Sequence, residues 1–374
     1  EALAKMAESR FDVIVTDLVM PDMSGVELLQ QVVQRYPGTA RIALSGRSDD
    51  RLTNAALEVA HQFLFKPADA DAIKQAVSQV CTVQQIVRDA ALKAAVVGCN
   101  GLPSPPGMYS ELTKAAESET VGAKDIANII THDIAMSAKL LQLVNSSFFG
   151  IARRVSSVEE AVALLGLTRI KALVLAQQVF KMFSPKAKRL GVYIMEIWNH
   201  SFSVATVSLL ISKAEKQGGD RTEQAFASGL LHDIGKLLLL SYDADTFETI
   251  RDRSRREQKP FHVVEHELIG ATHAEIGAHL LGLWGLPPRL VEGVALHHTP
   301  SDVRYDGICT VTAVHAADVL VNNFEQLEAE GGGCVLAHEL DAAYLEHIGL
   351  SHRVERWREL AFAELTPEIV TSHE

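Results

Sequence analysis

The sequence has no disulfide framework, no basic surplus and no long apolar run. Its four cysteines, Cys81, Cys99, Cys309 and Cys334, form no Cys-x-x-Cys pair. They read as reduced thiols of a cytosolic protein. Lys and Arg number 35 against 47 Asp and Glu, a net charge of −12, which argues against a broad nucleic-acid surface. The basic run "RDRSRREQK" (251–259) contains two acids of its own and reads as a solvated helix end or loop. No apolar run approaches the roughly 18 residues of a membrane span, and the opening "EALAKMAESR" is not a signal peptide. The expectation is a soluble cytoplasmic protein with neither membrane nor nucleic acid as partner.

What is present divides into two kinds of pattern. At 374 residues, two or three domains are expected. "FDVIVTD" (11–17), "RIALSG" (41–46) and "QFLFKP" (62–67) are short, β-branched or aromatic, and end in polar or turn residues, as buried parallel strands do. Between the first two, Val26, Leu29, Val32, Val33 and Tyr36 form a helical stripe. After residue 69, with Asp69 or Asp71 as cap, apolar residues recur at Ile73, Ala76, Val80, Val83, Val87, Ala90 and Ala94. This is either a helix lying on its own sheet, followed by a second helix, or one continuous 69–97 helix that forms a homodimer. "GCNGLPSPPG" (98–107) marks a boundary, and everything after it reads helical.

The three strand ends carry Asp17, Ser45 and Lys66. In an open parallel sheet, ligands bind at those ends. A carboxylate, a hydroxyl and an ammonium converging there suit a transferable phosphoryl group: Asp17 as nucleophile, Lys66 as counter-charge, Ser45 as hydrogen-bond partner. With "DLVMPDMSG" and "FKPAD" around them, residues 1 to about 80 closely resemble the receiver domain of two-component response regulators. The resemblance implies that Asp17 accepts phosphate from a sensor histidine kinase, that Ser45 is the switch hydroxyl, and that Lys66–Pro67 is the family's Lys-Pro pair. It also implies Mg²⁺ held partly by an acidic pair on an earlier strand. The chain opens at what resembles the family's second helix, so it is expected to be a fragment lacking that pair.

Fifteen histidines are present, and several fall in suggestive places. His200 lies in "IWNHSFSVA", His232 and Asp233 in "LLHDIGKLLLL", His273 in "HAEIGAHLL", His297 and His298 in "ALHHTP", and Asp318 in "VHAADVL". Imidazoles and carboxylates suit a borderline divalent ion such as Zn²⁺, Mn²⁺ or Fe²⁺, and Lys236 is a candidate to stabilise phosphate charge beside it. Buried histidines are also ordinary core residues, and a second "HD", His132–Asp133, reads as a helix-surface pair.

The ordered set resembles the HD superfamily of metal-dependent phosphohydrolases, which includes the cyclic-di-GMP phosphodiesterases. Those enzymes continue past "HH" with a glycine- and tyrosine-rich segment, where this chain has "TPSDVRYDGICT". "GLPSPPGMYSELTKAAES", "AKLLQLVNSSFFG", "VSSVEEAVALLGLTRIKALVL" and "HAEIGAHLLGLWGLP" extend the likeness to the HDOD family, the HD-related output domain, over about 102–300. The expected protein is therefore multidomain. It has a flavodoxin-like α/β receiver (1–80), a helical linker (81–101), an all-α HDOD domain (102–300) and a helical extension (301–374). Its expected role is a phosphorelay response regulator with a non-enzymatic output acting on a downstream signalling protein. The alternative is a metal-dependent phosphohydrolase.

Overall fold

The structure, a computed structural model, describes residues 1–45, 59–66, 70–84, 120–145, 154–166, 188–303, 307–330 and 339–366, with isolated positions 56, 68, 96, 112, 114, 115 and 118 between them. Val13–Asp17 (β1), Ala40–Ser45 (β2) and Gln62–Phe65 (β3) form a parallel sheet in the order β1-β2-β3. Asp17 stands opposite Leu44, and Ser45 opposite Phe65. Because the strands run the same way, Asp17, Ser45 and the residue after β3, Lys66, reach one edge of the sheet.

Ala2–Glu8 (α1) and Gly25–Arg35 (α2) flank β1. A capping box starts α2: Ser24 Oγ accepts from Glu27 N at 3.2 Å, and Glu27 Oε2 accepts from Ser24 N at 2.9 Å. Val26, Leu28, Leu29 and Val32 are its buried face; Val33 and Tyr36 lie at the margin, only half-buried. After β3 comes Ala70–Gln84 (α3). Its Ala76 is buried and Val77 packs on the main apolar cluster, so this part of the 69–97 stripe packs within the chain. The side chains of Val80 and Val83, and Val87, Ala90 and Ala94, lie outside the described residues, as do "GLPSPPG" and most of the linker.

From residue 120 the described chain is helical. Ala123–Thr131 (α4), Ile134–Asn145 (α5) and Val158–Leu165 (α6) pack together. Asn145 ties the end of α5 to the approach of α6: its Oδ1 accepts from Val155 N at 2.8 Å, and its Nδ2 donates to Val155 O at 2.7 Å. The "HD" pair at 132–133 is not a surface pair. Asp133 is fully buried, and its Oδ1 caps α5 by accepting from Ala135 N (2.9 Å) and Met136 N (3.1 Å). A helix N-terminus leaves buried donors that this carboxylate satisfies.

Lys188–Ala214 (α7), Gly219–Leu231 (α8), Ile234–Tyr242 (α9), Ala244–Glu257 (α10), Phe261–Ile269 (α11), His273–Leu283 (α12) and Pro288–Ala295 (α13) follow. Thr310–Glu330 (α14), Ala342–His347 (α15) and Val354–Leu365 (α16) are the last helices among the described residues. α7 packs on α8, α14 and α16; α12 packs on α9, α13 and α3; α13 packs on α8 and α14. Although it lies beyond residue 300, α14 is integral to this bundle. Contrary to expectation, Leu190–Ala214 has the length and hydropathy of a membrane span. Half of that window is buried inside the bundle, so core packing accounts for its apolar character.

The sheet meets the bundle through β3 and α3. Gln62 Nε2 donates to Gly282 O at 3.2 Å, and Gln142 Nε2 to His61 O at 3.3 Å. Arg154 also bonds the carbonyl of Gly285, the left-handed turn residue after α12.

The run "QAFASGLLHDIGKLLLL" is not one helix. It breaks at His232 and Asp233, where Asp233 has φ −97° and ψ 11°. Just past the break, α9 meets the start of α12 at Gly235, where an added Cβ would lie 2.1 Å from the carbonyl oxygen of His273. Only glycine permits that approach. Gly235→Ala is expected to cost at least about 1–3 kcal/mol, as overpacked cores do, read as a lower urea midpoint with an unchanged slope.

Candidate functional site

At the sheet edge, Lys66 Nζ lies 2.6 Å from Asp17 Oδ2, with both side chains partly exposed. Ser45 ends the neighbouring strand; its side chain is outside those described. The turn after β1 is held tight, since Gly25 N donates to Leu18 O at 2.9 Å and a Cβ on Gly25 would lie 2.0 Å from Asp17 O. Asp17 is thus presented at a tight strand-to-helix turn with an ammonium beside it. Among the described residues, no group of three metal-ligating side chains occurs here. Of the oxygen ligands that Mg²⁺ requires, the described residues supply Asp17 at this edge.

The second cluster is deep in the helical bundle. The break between α8 and α9 points His232 and Asp233 into one space. α7 supplies His200, the first residue of α12 is His273, the turn after α13 supplies His297 and His298, and α14 supplies Asp318. Every residue singled out by its motif is brought together here. Three groups place their ligand atoms within 4.8 Å of one another: His273 with His297 and His298, His200 with His232 and Asp318, and His232 with Asp233 and His297.

The tautomers follow from the partners. His232 Nδ1 lies 2.7 Å from Gly229 O and His297 Nδ1 2.7 Å from Val294 O. Carbonyls only accept, so both Nδ1 atoms carry the proton and each Nε2 presents a lone pair. Both Nε2 atoms are buried without a hydrogen bond, and Asp233 Oδ1 beside them meets imidazole nitrogens, 3.1 Å from His273 and 3.5 Å from His232. Orphaned acceptors gathered in one buried space are costly, and a shared cation satisfies them. The donor set fits a divalent ion.

Charge is distributed unevenly around this space. Burial works to lower the pKa of His200, but its hydrogen bonds to Asp318 (3.1 Å) and Glu325 (3.0 Å) prevail and push it up to about 10. Burial holds His297 and His298 well below the usual imidazole range. Asp233 and Asp318 sit well below the carboxylate range: burial opposes this, and the surrounding cationic groups outweigh it. Lys236 is not free to meet a distant phosphate. Its Nζ lies 2.7 Å from Asp233 Oδ2 and over the Phe261 ring, 5.2 Å from the centroid.

Four residues behind these were not apparent in the sequence. Glu265 bonds His273, Glu325 bonds His200, and Asn322 Nδ2 donates to Asp318 Oδ1 at 2.7 Å. His315 Nδ1 donates to His297 O at 2.8 Å while its Nε2 accepts from Asp341 N. The i, i+4 step from Asp318 to Asn322 was the one available signal; Glu265, Glu325 and His315 each bond a residue on a different element.

A strand-end aspartate paired with lysine, followed by a helical bundle enclosing histidines and aspartates, defines a receiver joined to an HD-related helical domain. The response regulator receiver domain matches residues 1–78 and the HDOD domain matches residues 102–300. The chain belongs to the HDOD family, with a receiver domain ahead of it. Among similar proteins, an uncharacterized protein of Treponema pallidum (strain Nichols) is 29% identical over 202 residues, covering 53% of this chain and 37% of that protein. The DNA-binding transcriptional regulator NtrC of Salmonella typhimurium is 39% identical over 72 residues, 19% of this chain and 15% of NtrC. The chain therefore spans well under half the length of both. The solved MmoQ response regulator of Methylococcus capsulatus is 22% identical with a TM-score of 0.48, over 70% of this chain and 98% of that one. A receiver fused to an HDOD domain is the organisation of a response regulator with an HD-related output, and a receiver implies a histidine kinase or other phosphodonor.

The Lys236–Asp233 pair yields a prediction. In chelating buffer, Lys236→Met strands a buried carboxylate oxygen and should cost about 1–3 kcal/mol by urea denaturation. The Lys236→Met/Asp233→Asn double variant should lose less than the sum of the two single variants.

Proposed function

We propose that this chain receives phosphate on Asp17 from a sensor histidine kinase and passes that state to its HDOD domain, which holds a divalent ion and signals through protein contact rather than turnover. The Asp17–Lys66 pair at 2.6 Å supports the first part, since Lys66 would shift from the carboxylate to the phosphoryl oxygens. Burial of the cluster carries the second. His232 and His297 are wholly buried, Asp233 is 1% exposed and Asp318 4%. A catalytic metal site keeps one position open to water and substrate, whereas a structural one is closed.

His232, Asp233, His297 and Asp318 are the residues we assign to hold the ion, with His200, His273 and His298 as further candidate ligands in the same cluster. An ion there would supply positive charge shared by α8, α9, α13 and α14, and binding energy that becomes folding energy. His232 and His297 offer lone pairs fixed by their carbonyl bonds, and Lys236 neutralises the far oxygen of Asp233.

Two experiments test this. Labelling of the full-length protein by acetyl phosphate should disappear in Asp17→Asn; persistent labelling would move the acceptor elsewhere. Purified protein should contain Zn, Mn or Fe by elemental analysis, and His232→Ala should lose that metal together with several degrees of melting temperature, about 3 kcal/mol if free metal stands a hundredfold above Kd. Hydrolysis of cyclic-di-GMP near the median enzyme rate of about 10 per second, abolished in Asp233→Ala, would replace this reading with the phosphohydrolase one.

A further inference from the structure

Glu265 lies on α11, eight residues before His273 and outside every motif that marked the cluster. It is fully buried, and its single Oε2 accepts twice from His273: from the backbone N at 2.8 Å and from Nδ1 at 2.5 Å. Its Oε1 makes no hydrogen bond. A buried carboxylate with one oxygen unserved is an expensive way to cap a helix. The cap of α12 is already made, because Thr272 Oγ1 accepts from Glu275 N at 3.2 Å and Glu275 Oε2 accepts from Thr272 N at 2.8 Å.

The consequence of Glu265 appears on the other side of the ring. With Nδ1 committed as donor, Nε2 faces Asp233 Oδ1 at 3.1 Å and His298 Nε2 at 3.0 Å. An ionised aspartate oxygen only accepts, so this face of His273 is built to share a positive charge with Asp233 and His298. The ring cannot turn away without breaking its Nδ1 contact to Glu265, whose Oε2 is itself held in place by the His273 backbone N–H. His232 and His297 differ, because neutral backbone carbonyls back their rings. A carboxylate behind an imidazole raises the basicity of the opposite nitrogen and fixes its direction.

We propose that Glu265 is the positioning residue that holds His273, through Nδ1, as a ligand for a divalent ion at the His273–His297–His298 face of the cluster. This rests on the reading of the cluster as a metal site. Glu265 touches no ion itself and acts only through His273.

The test uses the full chain, stripped with chelator and titrated with Zn²⁺ alone by calorimetry. Glu265→Gln keeps an oxygen able to accept from both nitrogens but removes the charge. It should weaken Zn²⁺ binding about 10–100-fold while the melting temperature of the stripped protein stays that of the parent. In a His273→Ala background the same substitution should change the affinity less than twofold. A Glu265→Gln affinity within twofold of the parent, or a loss of stability in the stripped protein with affinity intact, would overturn the proposal and leave Glu265 a structural cap. Should Glu265→Gln fail to fold, ¹⁵N-histidine spectra of the loaded parent decide: a proton on His273 Nδ1 supports the proposal, and a metal-bound or unprotonated Nδ1 overturns it. A parent protein that takes up no Zn²⁺ refutes the metal reading itself, an outcome distinct from either of these.

Discussion

The helical half of this molecule depends on the contact between Gly235 and the first residue of α12. That contact lets two backbones meet with no side chain between them, and it places Asp233, at the start of α9, 3.1 Å from His273. Around this pair the remaining polar residues find their partners. α7 and α14 bring His200 to Asp318, and the turn after α13 brings His297 to His232, their ring centroids 5.0 Å apart. The same rule operates at the sheet, where the absence of a side chain on Gly25 lets the α2 turn close against Asp17 O.

Several of the buried ionisable groups have a fixed electrostatic partner, which offsets part of the cost of burying them. Asp318 takes His200 and Asn322, Asp233 takes Lys236, and His273 takes Glu265. The partners form a second layer that extends past the HDOD match at residue 300, through α14 and on to Asp341, which His315 links to the His297 carbonyl. The helices after 300 are thus part of what shapes the cluster. The basic run at 251–259 is a solvated surface, as its own acids suggested: Arg253 and Lys259 pair with Glu257 and Glu267, and Arg251 with Glu196.

Both polar centres were legible in outline. Asp17 and Lys66 stood out because strand ends in a parallel sheet fall on one edge, and the structure sets them at bonding distance. The histidine and aspartate motifs stood out because such residues are rare in apolar helical runs. The His132–Asp133 pair, read as lying on a helix surface, departs from that reading because Asp133 is buried and caps a helix. Hydrophobic periodicity continues across 224–240 and so conceals the break at His232 and Asp233. Glu265, Glu325 and His315 were invisible because a glutamate or histidine on a helix face looks the same whether it meets solvent or a ligand's ring.

The sequence by itself determined the order of elements, the three strand ends with their polar residues, and the family of residues that can hold a cation. These follow from local pattern: period-two or buried runs for strands, 3.6-residue stripes for helices, and side-chain chemistry at each position. Tertiary structure alone decided which nitrogen of each imidazole faces inward, which carboxylates stand behind them, and that Lys236 belongs to Asp233. Those outcomes depend on distances between helices far apart in the chain, and such distances are set by how closely backbones pack. No spacing along a single helix encodes them.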